Sequence, residues 1–200
     1  MRRDYRGLVC SAVVLTALLC GCQKEEEIPV VSANTVSVAQ EIANGVSANV
    51  IPAEALEYYA LDYNIPEGFS RTPDSTDTLD IYASDTPNDY SYITYMRQEN
   101  NGATDYANLS DEAYKASLDK ALSADTVIQS VEKKQGDGNM HVKVLFSYPN
   151  ERGKMEVTEH IFITDKYIFE MVYAEDPEAD WKKAFAESEA ELRLLNVARQ

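Results

Sequence analysis

Two histidines are the side chains of this sequence best suited to proton transfer or metal binding. His141 and His160 are its only histidines, and each lies in a segment where apolar and polar residues alternate. If these segments are strands that pair around residues 149–153, both imidazoles share one sheet face, about one rung apart. A carboxylate such as Glu156 would complete a metal site. The alternative, two histidines on a solvated face, is favoured because a metal site also needs a third ligand and supporting hydrogen bonds. We therefore assign no metal and no cofactor.

A second group of candidate ligands is acidic. Asp74, Asp77 and Asp80 recur at every third residue, and oxygen-rich loops suit Ca²⁺. The run lacks the spacing, the central glycine and the distal glutamate of an EF-hand loop. It is interpreted as a solvated acidic loop, and the sequence leaves open whether it binds cations.

Tyrosines form the third group. Seven of the thirteen tyrosines lie between Tyr58 and Tyr95. Four of them, Tyr82, Tyr90, Tyr92 and Tyr95, are candidates for an interaction surface, because tyrosine offers a partner an apolar ring with a polar tip. The alternative is that these rings pack across strands within a sheet.

Motifs for catalysis are absent from the sequence. It contains no serine-nucleophile motif, no phosphate-binding loop and no metal-ligand cluster of recognisable spacing. We therefore predict no catalytic residue and a protein that is not an enzyme, although paired carboxylates of the glycosidase kind cannot be recognised in a single sequence.

The candidate side chains should be positioned by short strands and helices, which the periodicity of apolar residues predicts. Residues 79–83 and 90–96 are rich in β-formers and flank a turn, which predicts a hairpin. A helix should begin after Ser110, with Leu109 and Tyr114 in staple positions. Its apolar stripe comprises Tyr114, Leu118, Ala121 and Leu122. Strands over residues 126–132, 140–148, 155–163 and 167–173 are joined by short turns, which favours an antiparallel meander.

The last element should be a helix. Asp176 is in position to cap it and Pro177 to occupy its first turn. One face carries Trp181, Phe185, Ser188, Leu192 and Leu195. We expect Trp181 and Phe185 to pack against the sheet residues Val142, Val144, Ile161 and Ile163. The order of elements indicates an α+β fold, an antiparallel sheet with packed helices.

The N-terminus has the layout of a secretory signal. Arg2, Arg3 and Arg6 precede an uncharged run over residues 8–19, which is too short for a bilayer core of about 30 Å. The following Leu19-Cys20-Gly21-Cys22 resembles the lipobox of bacterial lipoproteins, with Cys20 where alanine or serine is usual. The resemblance implies a signal peptide over residues 1–21 and a lipidated Cys22. Cys10 and Cys20 would leave with the signal, so the mature domain would have no free thiol.

The remaining chain divides into a tether and a domain. Residues 22–54 are predicted to be a flexible, acidic and Ser/Ala-rich tether, and residues 55–200 a single α+β domain. Without residues 1–21, the chain has 15 Lys and Arg against 33 Asp and Glu, a formal charge of −18. This charge argues against nucleic acid as a partner, because it repels phosphates.

Residues 63–195 are similar to the PsbP-like superfamily. The similarity lies in YNIPEGF at residues 63–69, in the strands of residues 142–173 and in DPEADWKKAFAES at residues 176–188. It implies an α/β/α sandwich and a non-enzymatic role in binding or assembly. An NTF2-like cone and a cystatin-like domain are the alternative folds.

The sequence therefore predicts a lipid-anchored protein on the extracytoplasmic face of the cell membrane. There it would act as a binding or interaction module for an unknown envelope protein or ligand. The alternative is a lipoprotein that binds a small ligand or a cation.

Overall fold

A computed structural model describes residues 59–102, 108–122, 125–136 and 138–196 of the chain. The predicted signal peptide, Cys22, the tether over residues 22–54 and the start of the domain at residue 55 lie outside the described residues. The strands are β1 (Tyr59–Asp62), β2 (Phe69–Arg71), β3 (Leu79–Ser84), β4 (Tyr92–Glu99), β5 (Val127–Gln135), β6 (Asn139–Asn150), β7 (Gly153–Thr164), β8 (Tyr167–Glu175) and β9 (Arg193–Asn196). The helices are α1 (Asp111–Ala121) and α2 (Lys182–Glu191).

Seven strands form one antiparallel sheet in the order β2-β3-β4-β8-β7-β6-β5. Strands β5 to β8 follow one another as the predicted meander, and β3 and β4 form the predicted hairpin. The two parts join because β4 pairs along its whole length with β8. Strands β1 and β9 make a separate two-stranded ribbon.

The sheet buries side chains on both faces. On the first face, Tyr114 and Leu118 of α1 complete an apolar cluster with residues such as Val142, Val144 and Ile161. On the second face, Phe185 of α2 packs in a cluster that contains Phe69, Phe169 and Tyr173. The α+β class and the arrangement of helices on both faces of an antiparallel sheet are as predicted.

Helix α1 begins as its sequence predicts. The Ser110 hydroxyl accepts a hydrogen bond from the Ala113 backbone N–H at 3.1 Å, and Asp111 and Glu112 occupy the first turn. Neither helix among the described residues is long and apolar enough to cross a membrane.

The prediction of which sheet residues the terminal helix packs against was wrong. Val142, Val144, Ile161 and Ile163 all lie in the cluster of the first face, whereas Phe185 lies on the second. Alternation along β6 and β7 does place those four residues on one face, but the sequence does not tell which helix covers that face.

The bounds of this helix also differ from the prediction. It begins at Lys182, with Trp181 as its N-cap residue, and ends at Glu191. Leu195 lies in β9 and is 44% exposed. Asp176 does not cap the helix, because its carboxylate accepts hydrogen bonds from the Tyr90 and Glu178 backbone N–H groups.

Candidate functional site

Three connections meet at one end of the sheet, which we term the loop end: residues 85–91 between β3 and β4, the turn at residues 151–152 between β6 and β7, and residues 176–181 between β8 and α2. A cavity of about 490 Å³ lies between them. Its lining includes Asn88, Asp89, Arg152, Asp176, Glu178 and Trp181. The loop end is therefore a concave surface built from segments that are far apart in the sequence.

Arg152 links the three connections. Its guanidinium donates to the Asn88 carbonyl, forms an ion pair with Glu178 and lies 3.7 Å from the Asp176 carboxylate. It also lies 5.2 Å from the centre of the Tyr90 ring, within range of a cation–π interaction. The Asp176 side chain is 0% exposed. Arg152 therefore partners a buried carboxylate while its ion pair with Glu178 lies at the surface.

Asp89 of the β3–β4 connection and Trp181 at the start of α2 both line the cavity and are hydrogen-bonded to each other. The Trp181 indole N–H donates to the Asp89 carboxylate at 2.6 Å. The indole packs edge-on against Phe69, with 4.7 Å between the two ring centres. Burial alone would raise the pKa of Asp89, but hydrogen bonds from Ser91, Ser84 and Trp181 outweigh it and lower the pKa. Asp89 is therefore an ionised acceptor at neutral pH.

The charged side chains that line the loop end are mostly acidic. Asp89, Asp176, Glu178 and Asp180 line the cavity beside the single cation Arg152. The Tyr90 ring is 42% exposed next to them. The exposed carboxylates attract cationic groups, and an exposed aromatic ring provides an apolar and cation–π contact.

The four candidate tyrosines do not form one surface. Tyr90 precedes β4 and is exposed at the loop end. Tyr92 is 3% exposed, and its hydroxyl lies 3.3 Å from that of Tyr148, so Tyr92 belongs to the core and not to an interaction surface. Tyr92 is buried because it lies in the interior strand β4 and points to the first face, where it belongs to the cluster that Tyr114 and Leu118 complete.

Tyr82 and Tyr95 lie on the second face with Tyr63. The Tyr63 and Tyr95 rings are 4.8 Å apart, and all three tyrosines pack against the cluster of this face. Burial and a hydrogen bond with Tyr82 raise the pKa of Tyr63. These half-buried rings agree with the alternative of cross-strand packing.

The two histidines do share a face. A hydrogen bond of 3.0 Å joins His141 Nε2 and His160 Nδ1, so one ring donates and the other accepts. His160 Nε2 lies 3.1 Å from the Glu189 carboxylate of α2, which also pairs with Lys143 at 2.7 Å. Burial, then His160 and nearby lysines, lower the pKa of His141 to about 4. The pair therefore connects α2 to the sheet with a neutral His141.

Glu156, the carboxylate that would complete a metal site with the two histidines, has other partners. Its carboxylate accepts a hydrogen bond from Gln129 at 2.8 Å and pairs with Lys154 at 3.3 Å. Across the described ranges, no group of three His, Cys, Asp or Glu side chains is placed to hold a metal ion.

One carboxylate of the acidic loop has a partner within the protein. Asp80 pairs with Arg71 at 2.6 Å, whereas Asp74 and Asp77 are exposed. A cation at this loop would have to compete with Arg71 for the Asp80 carboxylate.

A smaller groove lies between α2 and the second face of the sheet. Its volume is about 280 Å³, and its lining includes Leu145, Tyr173, Lys182, Phe185 and Glu189. It combines an apolar floor with charged residues, the usual make-up of a small-ligand site.

No family model matches the chain, and no curated protein matches it by sequence. Its fold is similar to several solved structures. The cyanobacterial PsbP of Synechocystis is 9% identical, with a TM-score of 0.48 over 76% of this chain and 98% of that one. LpqN of Mycobacterium tuberculosis, described as involved in cell envelope biogenesis, is 13% identical, with a TM-score of 0.47 over 81% and 99%. The Saccharomyces cerevisiae Ran-binding protein Mog1p is 12% identical, with a TM-score of 0.41 over 67% and 89%. At these identities the likeness concerns the fold alone.

Proposed function

We propose that this protein is a lipid-anchored interaction module of the bacterial envelope, and that it binds a partner through the loop end. The observation that carries the proposal is the 42% exposed Tyr90 ring beside a cavity whose shape is set by Arg152. Tyrosine, tryptophan and arginine dominate binding energy in protein interfaces, and Tyr90, Arg152 and Trp181 converge here.

The charge of the loop end favours a cationic partner segment. Glu178 and Asp180 are exposed at its rim, and the formal charge of the whole chain is −16. Such a field speeds the association of a positively charged surface and repels an acidic one. We therefore expect lysine or arginine side chains of an envelope protein next to Tyr90.

Cross-linking in cells tests this surface. A photoreactive phenylalanine analogue replaces Tyr90 in the full-length chain, and the same analogue replaces Asp77, which is exposed at the opposite end of the sheet. We expect a discrete cross-linked protein from position 90 and none from position 77. The yield should fall in the Asp180→Asn background, since removing a rim charge slows association, and remain unchanged with Asp74→Asn. Equal products from both positions, or none from position 90, would contradict the proposal.

The lipid anchor is tested separately. Cys22→Ala should abolish incorporation of labelled fatty acid and leave either an uncleaved precursor or a protein released from membranes. A Cys20→Ala chain is the control, because it keeps the cysteine that the lipobox resemblance assigns to lipidation. Labelling of Cys22→Ala at the wild-type level would show that the lipobox interpretation is wrong.

Small-ligand binding is the second candidate function. The groove of about 280 Å³ between α2 and the sheet supports it, because Tyr173 and Phe185 contribute aromatic surface beside Lys182 and Glu189. A fragment screen by protein NMR distinguishes the two functions. Shifts at Tyr173 and Lys182 would favour the groove, and shifts at Tyr90 would favour the loop end.

A further inference from the structure

The groove between α2 and the second face of the sheet has an ordered lining. The register of β7 and β8 pairs Glu156 with Glu175 and, two residues further from the loop end, Thr158 with Tyr173. All four residues line the groove. Neighbouring residues of one rung share a face of the sheet. The groove therefore has an acidic rung at the end nearer the loop end, and a rung with an aromatic ring beside it.

Helix α2 forms the opposite wall of the groove. Its lining residues Lys182, Phe185 and Glu189 are three and then four residues apart, so they lie on one face of the helix. The Phe185 ring centre lies 5.4 Å from that of Tyr173. Glu189 already pairs with Lys143 at 2.7 Å and with His160. The middle of the groove is therefore aromatic, and the charge of Glu189 is compensated within the protein.

Two charged side chains of the lining have no ionic partner among the described residues. Glu175 is 7% exposed, and its Oε1 accepts a hydrogen bond from the Trp181 backbone N–H at 2.7 Å. No described cation pairs with this carboxylate. Lys182, which is exposed, forms no ion pair with Glu175 or with any other described residue. A buried carboxylate without a cation is costly, so the groove holds one negative and one positive group that a ligand can satisfy.

We propose that this groove binds a free α-amino acid with an apolar side chain. Its ammonium group would donate to Glu175 and its carboxylate would accept from Lys182, while its side chain packs against Tyr173 and Phe185. The inference rests on the second candidate function, that the groove binds a small ligand.

Charge and size both favour this ligand class. An α-amino acid carries its two opposite charges on one carbon, so it satisfies a carboxylate and an ammonium group of one site together, whereas a ligand with a single charge leaves one of them without a partner. The groove volume of about 280 Å³ lies at the lower limit of about 300–1,000 Å³ for small-molecule sites. A single amino acid therefore fits the groove better than a peptide does.

Three probes that share one aromatic ring test the proposal. They are L-phenylalanine, hydrocinnamate, which lacks the ammonium group, and phenethylamine, which lacks the carboxylate. Each is titrated into the full-length chain, and the NMR signals of Tyr173 and Lys182 report binding in the groove. We expect the dissociation constant of L-phenylalanine to be about tenfold lower than that of either analogue, because one hydrogen bond to a charged group contributes about this factor.

Variants of the two charged residues assign each half of the ligand. Glu175→Gln keeps an oxygen for the Trp181 N–H, and it should weaken L-phenylalanine about tenfold while hydrocinnamate binds no worse. Lys182→Gln should weaken L-phenylalanine and hydrocinnamate but not phenethylamine. Lys183→Gln is the matched control, because the Lys183 side chain is 89% exposed and pairs with Glu187, and it should bind L-phenylalanine as the wild type does.

The outcomes separate this inference from the function on which it rests. If all three probes shift the groove signals with equal affinity, the groove binds small ligands but the amino-acid proposal is overturned. Wild-type binding of L-phenylalanine by both Glu175→Gln and Lys182→Gln would overturn it as well. If none of the probes shifts the signals of Tyr173 or Lys182, the proposal is also wrong, and a fragment screen without shifts there would remove the small-ligand function too.

Discussion

At the scale of single residues, Arg152 connects most of the loop end. It has contacts with the Asn88 carbonyl, with Glu178 and with the Tyr90 ring, and it pairs with the buried Asp176. Arg152→Ala removes the cation that pairs with that carboxylate, and loss of one partner of a buried pair costs about 3 kcal/mol. Because 22% of the arginine side chain is exposed, solvent screens part of this effect and we expect a loss of about 2 kcal/mol. Urea titration measures it.

The control for Arg152→Ala is a lysine on the next strand. Lys154 is 55% exposed in its pair with Glu156, and Lys154→Ala should cost less than about 0.5 kcal/mol. If the two variants lose the same stability, Arg152 does not hold the loop end together.

The pKa of His141 predicts a second effect of a single residue, a loss of folding stability below neutral pH. Its pKa in the folded protein, about 4, lies below the ordinary value of 6.5. The unfolded chain therefore binds a proton that the folded chain does not, so the stability contributed by this site is lost as the pH falls from 6.5 towards 4. We expect the NMR titration of His141 to have its midpoint near 4. His141→Asn should reduce the slope of unfolding free energy in that range, and a His141 midpoint near 6.5 would refute the assignment.

The sequence reveals some of these residues and not others. The shared face of His141 and His160 follows from alternation and a short turn, which are local properties. Glu189 and Arg152 could not be assigned from the sequence. Glu189 meets His160 and Lys143 of two strands, and Arg152 meets two other connections, only in the folded chain. Glu159, a buried glutamate of the first face, did leave a signal, since it falls in the same alternating register as Val157 and Ile161. That signal is visible only when a charged residue inside an apolar pattern is treated as significant.

At the scale of elements, Phe185 tests the docking of α2. The ring is 5% exposed and lies 5.5 Å from that of Phe69 and 5.4 Å from that of Tyr173. Phe185→Ala should cost about 3–5 kcal/mol, from lost transfer energy and the remaining cavity. Lys183, whose side chain is 89% exposed, is the control, and Lys183→Ala should cost less than about 0.5 kcal/mol. Urea titration measures both variants. If Phe185→Ala shifts the unfolding midpoint as little as Lys183→Ala does, α2 is not part of the core.

Elements stabilised by near neighbours were predictable, and those that depend on distant pairing were not. The β3–β4 hairpin, the strands from β5 to β8 and the cap of α1 follow from local spacing and turn residues. The pairing of β4 with β8, and of β1 with β9, joins segments separated by long stretches of chain. The end of α2 was misplaced because Leu192 and Leu195 continue its apolar pattern, while the chain turns there to pair with β1.

At the scale of the whole molecule, the two faces of the sheet have different tasks. The second face carries the larger aromatic cluster, the His141–His160–Glu189 connection and α2. The first face carries the buried Glu159 and Glu170 and the apolar cluster that Tyr114 and Leu118 of α1 complete. The loop end, whose Trp181 packs against Phe69, is therefore supported by the same face that holds α2.

The division between tether and domain provides the last prediction. Residues 24–48 offer no apolar periodicity with which to offset the entropy of ordering. Deleting them should leave the melting temperature nearly unchanged while shortening the reach from the membrane by at most about 90 Å. Leu61→Ala is the comparison, because Leu61 is 8% exposed in β1 within the aromatic cluster and should lose about 2 kcal/mol or more. The deletion should therefore retain the cross-link at position 90 in detergent extracts and reduce it in cells if the partner lies far from the membrane. A fall in melting temperature as large as that of Leu61→Ala would place residues 24–48 in the folded core and move the start of the domain towards Cys22.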